Sequence, residues 1–93
     1  MTSDLLTVRE LATYLSTRIP GYSVTTARET QATLIRIYRQ AADGRLPRPI
    51  RFGKRGGSMR WRRADINRWL VGRAIEDFRR ASDALIELVT TAA

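Results

Sequence analysis

The side chains that carry most covalent and acid–base chemistry are missing from this chain. It has no histidine and no cysteine, which removes imidazole catalysis, thiolate nucleophiles, disulfides and the usual zinc ligands together. Its 9 Asp and Glu do not converge as a recognisable catalytic pair, so neither an enzyme nor a cofactor-dependent protein is expected. What remains is positive charge: 17 Lys and Arg, for a formal net of +8. The segment Arg45 to Arg63 alone holds Arg45, Arg48, Arg51, Lys54, Arg55, Arg60, Arg62 and Arg63 with no acid. The flanking segments, 1–44 and 64–93, are nearly neutral at +1 and −1. Arginine dominates the basic set, and its planar fork suits phosphate and the major-groove edge of guanine. A GC-rich genome explains an Arg excess over Lys equally well, but it does not explain the clustering.

A block of like charge usually marks a solvated stretch. Here Ile50, Phe52, Met59 and Trp61 are interleaved with the cations. Pro49-Ile50-Arg51-Phe52 and Ser58-Met59-Arg60-Trp61-Arg62 alternate with period two around Gly53-Lys54-Arg55-Gly56-Gly57, which predicts a β-hairpin with a glycine-rich tip. In that reading Ile50, Phe52, Met59 and Trp61 face the core, and Arg51, Arg60 and Arg62 face solvent or ligand. The tip is not a nucleotide-binding phosphate loop: the Gly-x4-Gly-Lys-[Ser/Thr] pattern is absent and a strand follows it.

Helices must position this hairpin. Thr7-Val8-Arg9-Glu10 fits a capping box, with Leu6 and Leu11 as its hydrophobic staple, and opens a helix to about Ser16. Pro20-Gly21 marks residues 17–25 as a loop. Thr26-Ala27-Arg28-Glu29 repeats the capping pattern and opens a second helix. Its apolar positions are Leu34, Ile37, Tyr38 and Ala41, and Asp43-Gly44 ends it. The opposite face carries Arg28, Arg36, Arg39 and Asp43, with Gln40 at its edge.

A third helix runs from Arg63 almost to the end, with Asp65 in its first turn and Ile66, Trp69 and Leu70 as a core stripe. From Val71 across Gly72, the positions Val71, Ile75, Phe78, Ser82, Leu85 and Val89 alternate at four- and three-residue spacing. Glu76 with Arg80 and Arg79 with Asp83 form i, i+4 pairs outside. This stripe either packs back on its own domain or binds a partner or another copy, with Ile75, Phe78, Leu85 and Val89 as the self-association candidates. Ninety-three residues make one small domain, 43% hydrophobic. No stretch of 18 apolar residues exists and the N-terminus does not read as a signal peptide, so a cytoplasmic chain with no membrane role is expected.

Helix, turn, Arg-faced helix, basic hairpin, helix is the order of a winged helix-turn-helix. Leu5-Leu6-Thr7-Val8-Arg9-Glu10-Leu11-Ala12, Ile37-Tyr38-Arg39, Gly44-Arg45-Leu46-Pro47, Arg60-Trp61-Arg62 and Ile66-Asn67-Arg68-Trp69 occur in that order. Over residues 5–71 they resemble the phage excisionases, recombination directionality factors built on a MerR-type winged helix. The resemblance implies a mainly α fold with a small β-hairpin. It implies a winged helix-turn-helix over 1–71; the C-terminal amphipathic helix over 72–93 runs past the shared core and is not covered by the match. It further implies cooperative binding of several copies to double-stranded attachment-site DNA, bending of that DNA, and steering of the phage integrase toward excision in the host cytoplasm. Arg28, Arg36, Tyr38, Arg39 and Gln40 are then the recognition-helix contacts. Arg51, Lys54, Arg55, Ser58, Arg60 and Arg62 are the wing contacts. The chain departs from the family where residues 16–32 replace a turn of a few residues, as an enlarged loop or an extended helix. A prophage transcription regulator on the same fold, and an interaction module working through the last helix, are the alternatives. RNA is disfavoured because the aromatics form no stacking platform.

Overall fold

The computed structural model describes residues 4–53 and 58–92. The elements are β1 (Leu5–Leu6), α1 (Val8–Ser16), α2 (Ala27–Ala42), β2 (Ile50–Phe52), β3 (Ser58–Arg62) and α3 (Arg63–Ala92). The chain is mainly helical, with a small antiparallel sheet in the order β1-β3-β2.

Both capping sequences start helices, but they do so differently. At α1 the box is complete: the Thr7 hydroxyl accepts from the Glu10 N–H at 3.1 Å, and the Thr7 N–H donates to the Glu10 carboxylate at 3.0 Å. The Thr7 backbone and then its hydroxyl hold the Glu10 pKa below the ordinary 4.5, aided by the Arg60 and Arg63 charges and opposed by desolvation. At α2 only half forms. The Thr26 hydroxyl accepts from the Glu29 N–H at 3.1 Å, while the Glu29 carboxylate accepts instead from the Ser23 hydroxyl at 2.6 Å. The helix ends at Asp43, and Gly44 follows with φ +76°, the left-handed turn that glycine adopts without a Cβ clash. The connection between α1 and α2 is therefore a loop over 17–26, and Arg28 belongs to α2.

Leu11, Leu15, Tyr22, Ile37, Trp61 and Ile66 are the largest fully buried side chains and form the centre of one core. Leu6 packs there too, and also belongs to a strand that two residues of pattern do not announce. Leu5 and Leu6 pair with Arg62 and Trp61, and the Asp4 carbonyl accepts from the Arg63 N–H at 2.8 Å.

The hairpin forms where the alternation places it, but its faces are not those expected. Ile50 pairs with Arg60, Arg51 with Met59 and Phe52 with Ser58. Residues opposite one another in an antiparallel pair share a face, so Ile50 and Phe52 lie with Arg60, and Arg51 lies with Met59. Only Met59 and Trp61 pack against the core, and Phe52 is 46% exposed. The cause is parity. Five residues separate Phe52 from Ser58, so even-numbered positions meet even-numbered ones, and Ile50 and Phe52 cannot share a face with Met59 and Trp61.

The third helix is continuous through Gly72 and extends the molecule to 62 Å in its longest dimension. At about 1.5 Å per residue its length is about 45 Å. Ile66 is buried and Trp69 and Leu70 pack on the core. From Val71 onward the large apolar side chains are exposed, so the stripe does not pack back on its own domain. The Glu76–Arg80 pair is present at 3.9 Å, as is Asp65–Arg68 at 3.8 Å. Arg79 and Asp83 do not form the expected ion pair among the described residues.

Candidate nucleic-acid interface

The second helix buries Thr33, Leu34 and Ile37. At 100° per residue, the face pointing directly away from that seam carries Arg28, Gln31, Ala32, Ile35, Arg39 and Ala42, with Tyr38 beside it, and all seven are exposed. The Arg28 and Arg39 side chains make no intramolecular hydrogen bond or ion pair among the described residues. Ala32 and Ala42 keep the surface between them low, so another molecule can approach the helix backbone closely. Ile35 and Tyr38 are 44% and 43% exposed. Tyr38 is thus not part of the core stripe, although its spacing fits one.

Two of the expected contact residues are already committed inside the molecule. Tyr22, 1% exposed, donates its hydroxyl to Gln40 Oε1 at 2.6 Å. The Arg36 guanidinium lies over the Tyr22 ring at 4.4 Å and donates to the Gly21 carbonyl at 3.2 Å. Gly21 has φ +97°, a backbone conformation that favours glycine, and a Cβ there would crowd the same guanidinium at 3.0 Å. Thr33 and Thr30 donate to the Ser23 and Val24 carbonyls at 2.7 and 3.2 Å. Together these bonds staple the 17–26 loop along α2. Arg36 and Gln40 hold that loop, which leaves Arg28, Gln31, Ile35 and Arg39 as the outward set. Gln31 and Ile35 were missed by sequence reasoning. Extending the helical wheel from Arg28 to Arg39 finds both.

Between α2 and the hairpin, Gly44-Arg45-Leu46-Pro47 is pinned by two indoles. Trp61 Nε1 donates to the Pro47 carbonyl at 3.0 Å and Trp69 Nε1 to the Arg45 carbonyl at 2.9 Å. Leu46 is buried between those points in the chain, at 3% exposure. The helix and the hairpin are therefore held by one rigid connector rather than by a free linker. Arg45 and Arg48 on it are exposed.

On the hairpin, Arg51 and Arg62 are exposed and Arg60 is half-buried, donating to the Met59 carbonyl at 3.0 Å. The face parity separates them: Arg60 and Arg62 share a side with Ser58, and Arg51 points to the other. Lys54 and Arg55 lie outside the described residues. A further cationic cluster surrounds Tyr14, whose ring lies 3.6 Å from the Arg18 guanidinium and 5.1 Å from that of Arg63. The Tyr14 hydroxyl donates to Asn67 Oδ1, joining α1 to α3. Among the described residues, no group of three His, Cys, Asp or Glu side chains gathers for a metal ion. No helix there is long and apolar enough to cross a membrane.

No family model matches this chain, and no curated protein or solved structure does either.

Proposed function

We propose that this chain is a winged helix-turn-helix protein that binds double-stranded DNA in a sequence-specific way, with α2 as the recognition helix and β2–β3 as the wing. The observation that carries this reading is the outward face of α2. It presents Arg28 and Arg39, exposed and uncommitted, with Gln31 and Ile35 between them. Those are the side-chain types that read guanine, adenine and the thymine methyl in the major groove. Arg45, Arg48, Arg51 and Arg62, with Lys54 and Arg55, supply phosphate neutralisation, which gives affinity without sequence information. In the finer form of the proposal, several copies bind phage attachment-site DNA cooperatively, bend it, and direct the integrase toward excision. One small domain makes too few contacts to offset a bend costing roughly 1–6 kcal/mol, and an array of copies does so collectively.

Titrating labelled duplex DNA at several salt concentrations tests the general reading. If about five or six cations neutralise phosphate, log K against log salt has a slope near −5, and a slope shallower than about −2 removes the proposal. Attachment-site DNA tests the finer form. A ladder of cooperative shifts with bent DNA supports excision control, and a single footprint beside a promoter replaces it with transcription control.

A further inference from the structure

The distal part of α3 has no function in that reading. From Val71 onward it carries an apolar stripe that its own domain leaves open: Val71, Ile75, Phe78, Leu85 and Val89 are 57–75% exposed. A stripe of that length is unusual on the surface of a protein that remains alone. Its 4-3-4-3-4 spacing is a heptad seam, in which Ser82 is the one polar position. We infer that this stripe is covered by the α3 of a second copy of the chain, in antiparallel orientation, with Phe78 of each helix packed against Ser82 of the other.

Charge selects the orientation. Residues 1–70 contain fourteen basic and five acidic side chains, a formal +9, whereas residues 71–93 carry three Arg against four acids. A parallel pair sets two +9 bodies side by side at one end of the rod. An antiparallel pair places them about 30 Å apart by helix rise, beyond the Debye length of about 8 Å at physiological salt. The rod itself agrees. Its first half, 71–80, is +1 and its second half, 81–92, is −2, so antiparallel pairing sets unlike halves together and parallel pairing sets like on like.

Size selects the register. When position 80 lies opposite itself, Val71 meets Val89, Ile75 meets Leu85 and Phe78 meets Ser82, giving six continuous layers about a two-fold axis. The smallest seam residue then receives the largest. Parallel pairing stacks Phe78 on Phe78 and leaves two Ser82 hydroxyls facing one another in an apolar seam. On one flank of the antiparallel pair, Ala81 meets Ala81 and allows close approach. On the other, Arg79 and Asp83 of both copies form a neutral group of four, which gives Arg79 the partner it lacks within one chain.

The test uses the full chain without DNA, so its outcome is independent of the proposed function. Sedimentation equilibrium at micromolar concentration finds the wild type at twice its 10.6 kDa and a Phe78→Asp/Leu85→Asp double variant at the single mass. Both residues are exposed in one chain, and unchanged far-UV circular dichroism confirms that the variant folds. Orientation is read by oxidative crosslinking, with no native cysteine to interfere. Two copies of residue 71 lie about 27 Å apart in the antiparallel pair by helix rise, far beyond disulfide reach. Val71→Cys alone then does not crosslink, and Val71→Cys/Val89→Cys gives a reducible dimer. A monomeric wild type overturns the inference, as does crosslinking by Val71→Cys alone or failure of the double variant.

Discussion

Replacing Trp61 by Phe isolates the contact that fixes the hairpin to the connector. Trp61 is fully buried, and its indole N–H donates to the Pro47 carbonyl at 3.0 Å. Phenylalanine retains most of the ring packing but removes the donor and part of the ring. The stranded, partly buried carbonyl costs about 1–2 kcal/mol, and the missing ring volume adds about 1 kcal/mol. The sum, about 2–3 kcal/mol, is large against the roughly 5–14 kcal/mol expected for a chain of this length. At about 4–8 °C per kcal/mol for a small domain, Tm falls by roughly 10–20 °C, read by thermal unfolding in far-UV circular dichroism. Trp69→Phe is the control. It loses the same kind of bond, to the Arg45 carbonyl at 2.9 Å, but at a half-exposed site where water replaces the donor. Its cost is therefore about 0.5–1 kcal/mol. If Trp61→Phe lowers Tm no more than Trp69→Phe does, the connector is not held by the buried indole.

Arg39→Ala is expected to weaken DNA binding by about 1–3 kcal/mol and relax base preference at one position. Arg36→Ala is expected to loosen the 17–26 loop while leaving base preference intact; competition binding across single-base duplex variants separates the two. The pH dependence of Glu10 has a definite sign. Its folded pKa lies below 4.5, so the carboxylate bond to the Thr7 N–H stabilises the fold above that value and is lost as pH falls through the folded value. Glutamine keeps the capping geometry without the charge. The Tm advantage of wild type over Glu10→Gln, present at neutral pH, therefore disappears in acid, and an advantage that persists there contradicts the assignment.

Helix starts and stops were legible because they are local. Thr7, Thr26 and Gly44 act within four residues of themselves, and α1 begins and α2 ends where they indicate. What stayed hidden depends on partners far along the chain. Two leucines make a strand only because Trp61 and Arg62 lie beside them. Arg36 and Gln40 look identical to groove contacts on a wheel of α2 alone, and Tyr22 engages both side chains, an effect with no trace in helical periodicity. The Trp61 and Trp69 aromatic bodies are core signals, whereas their N–H groups speak to carbonyls fourteen and twenty-four residues away. The hairpin is a different kind of miss, since its tip length and its alternation were both visible and the conflict between them was arithmetic.

That conflict makes the hairpin faces testable. Removing one residue from the 53–57 tip changes the parity, so Ile50 and Phe52 can no longer share a side with Arg60 unless a residue bulges out. The third strand cannot be the one to turn over. Trp61 is buried, pairs with Leu6 and is bonded to Pro47, whereas β2 is the edge strand with half-buried or exposed side chains. The second strand therefore rotates, bringing Phe52 to the Met59 side and Arg51 to the Arg60 side. The cost of Phe52→Ala reports this. In the native length Phe52 is 46% exposed, and truncation costs about 1 kcal/mol. In the shortened chain, burial of the ring raises the cost toward about 2–3 kcal/mol. The two costs come from urea unfolding of four proteins in a double-mutant cycle. Equal costs in the two backgrounds show that the deletion is absorbed by a bulge and that loop parity does not set which side of β2 faces the core.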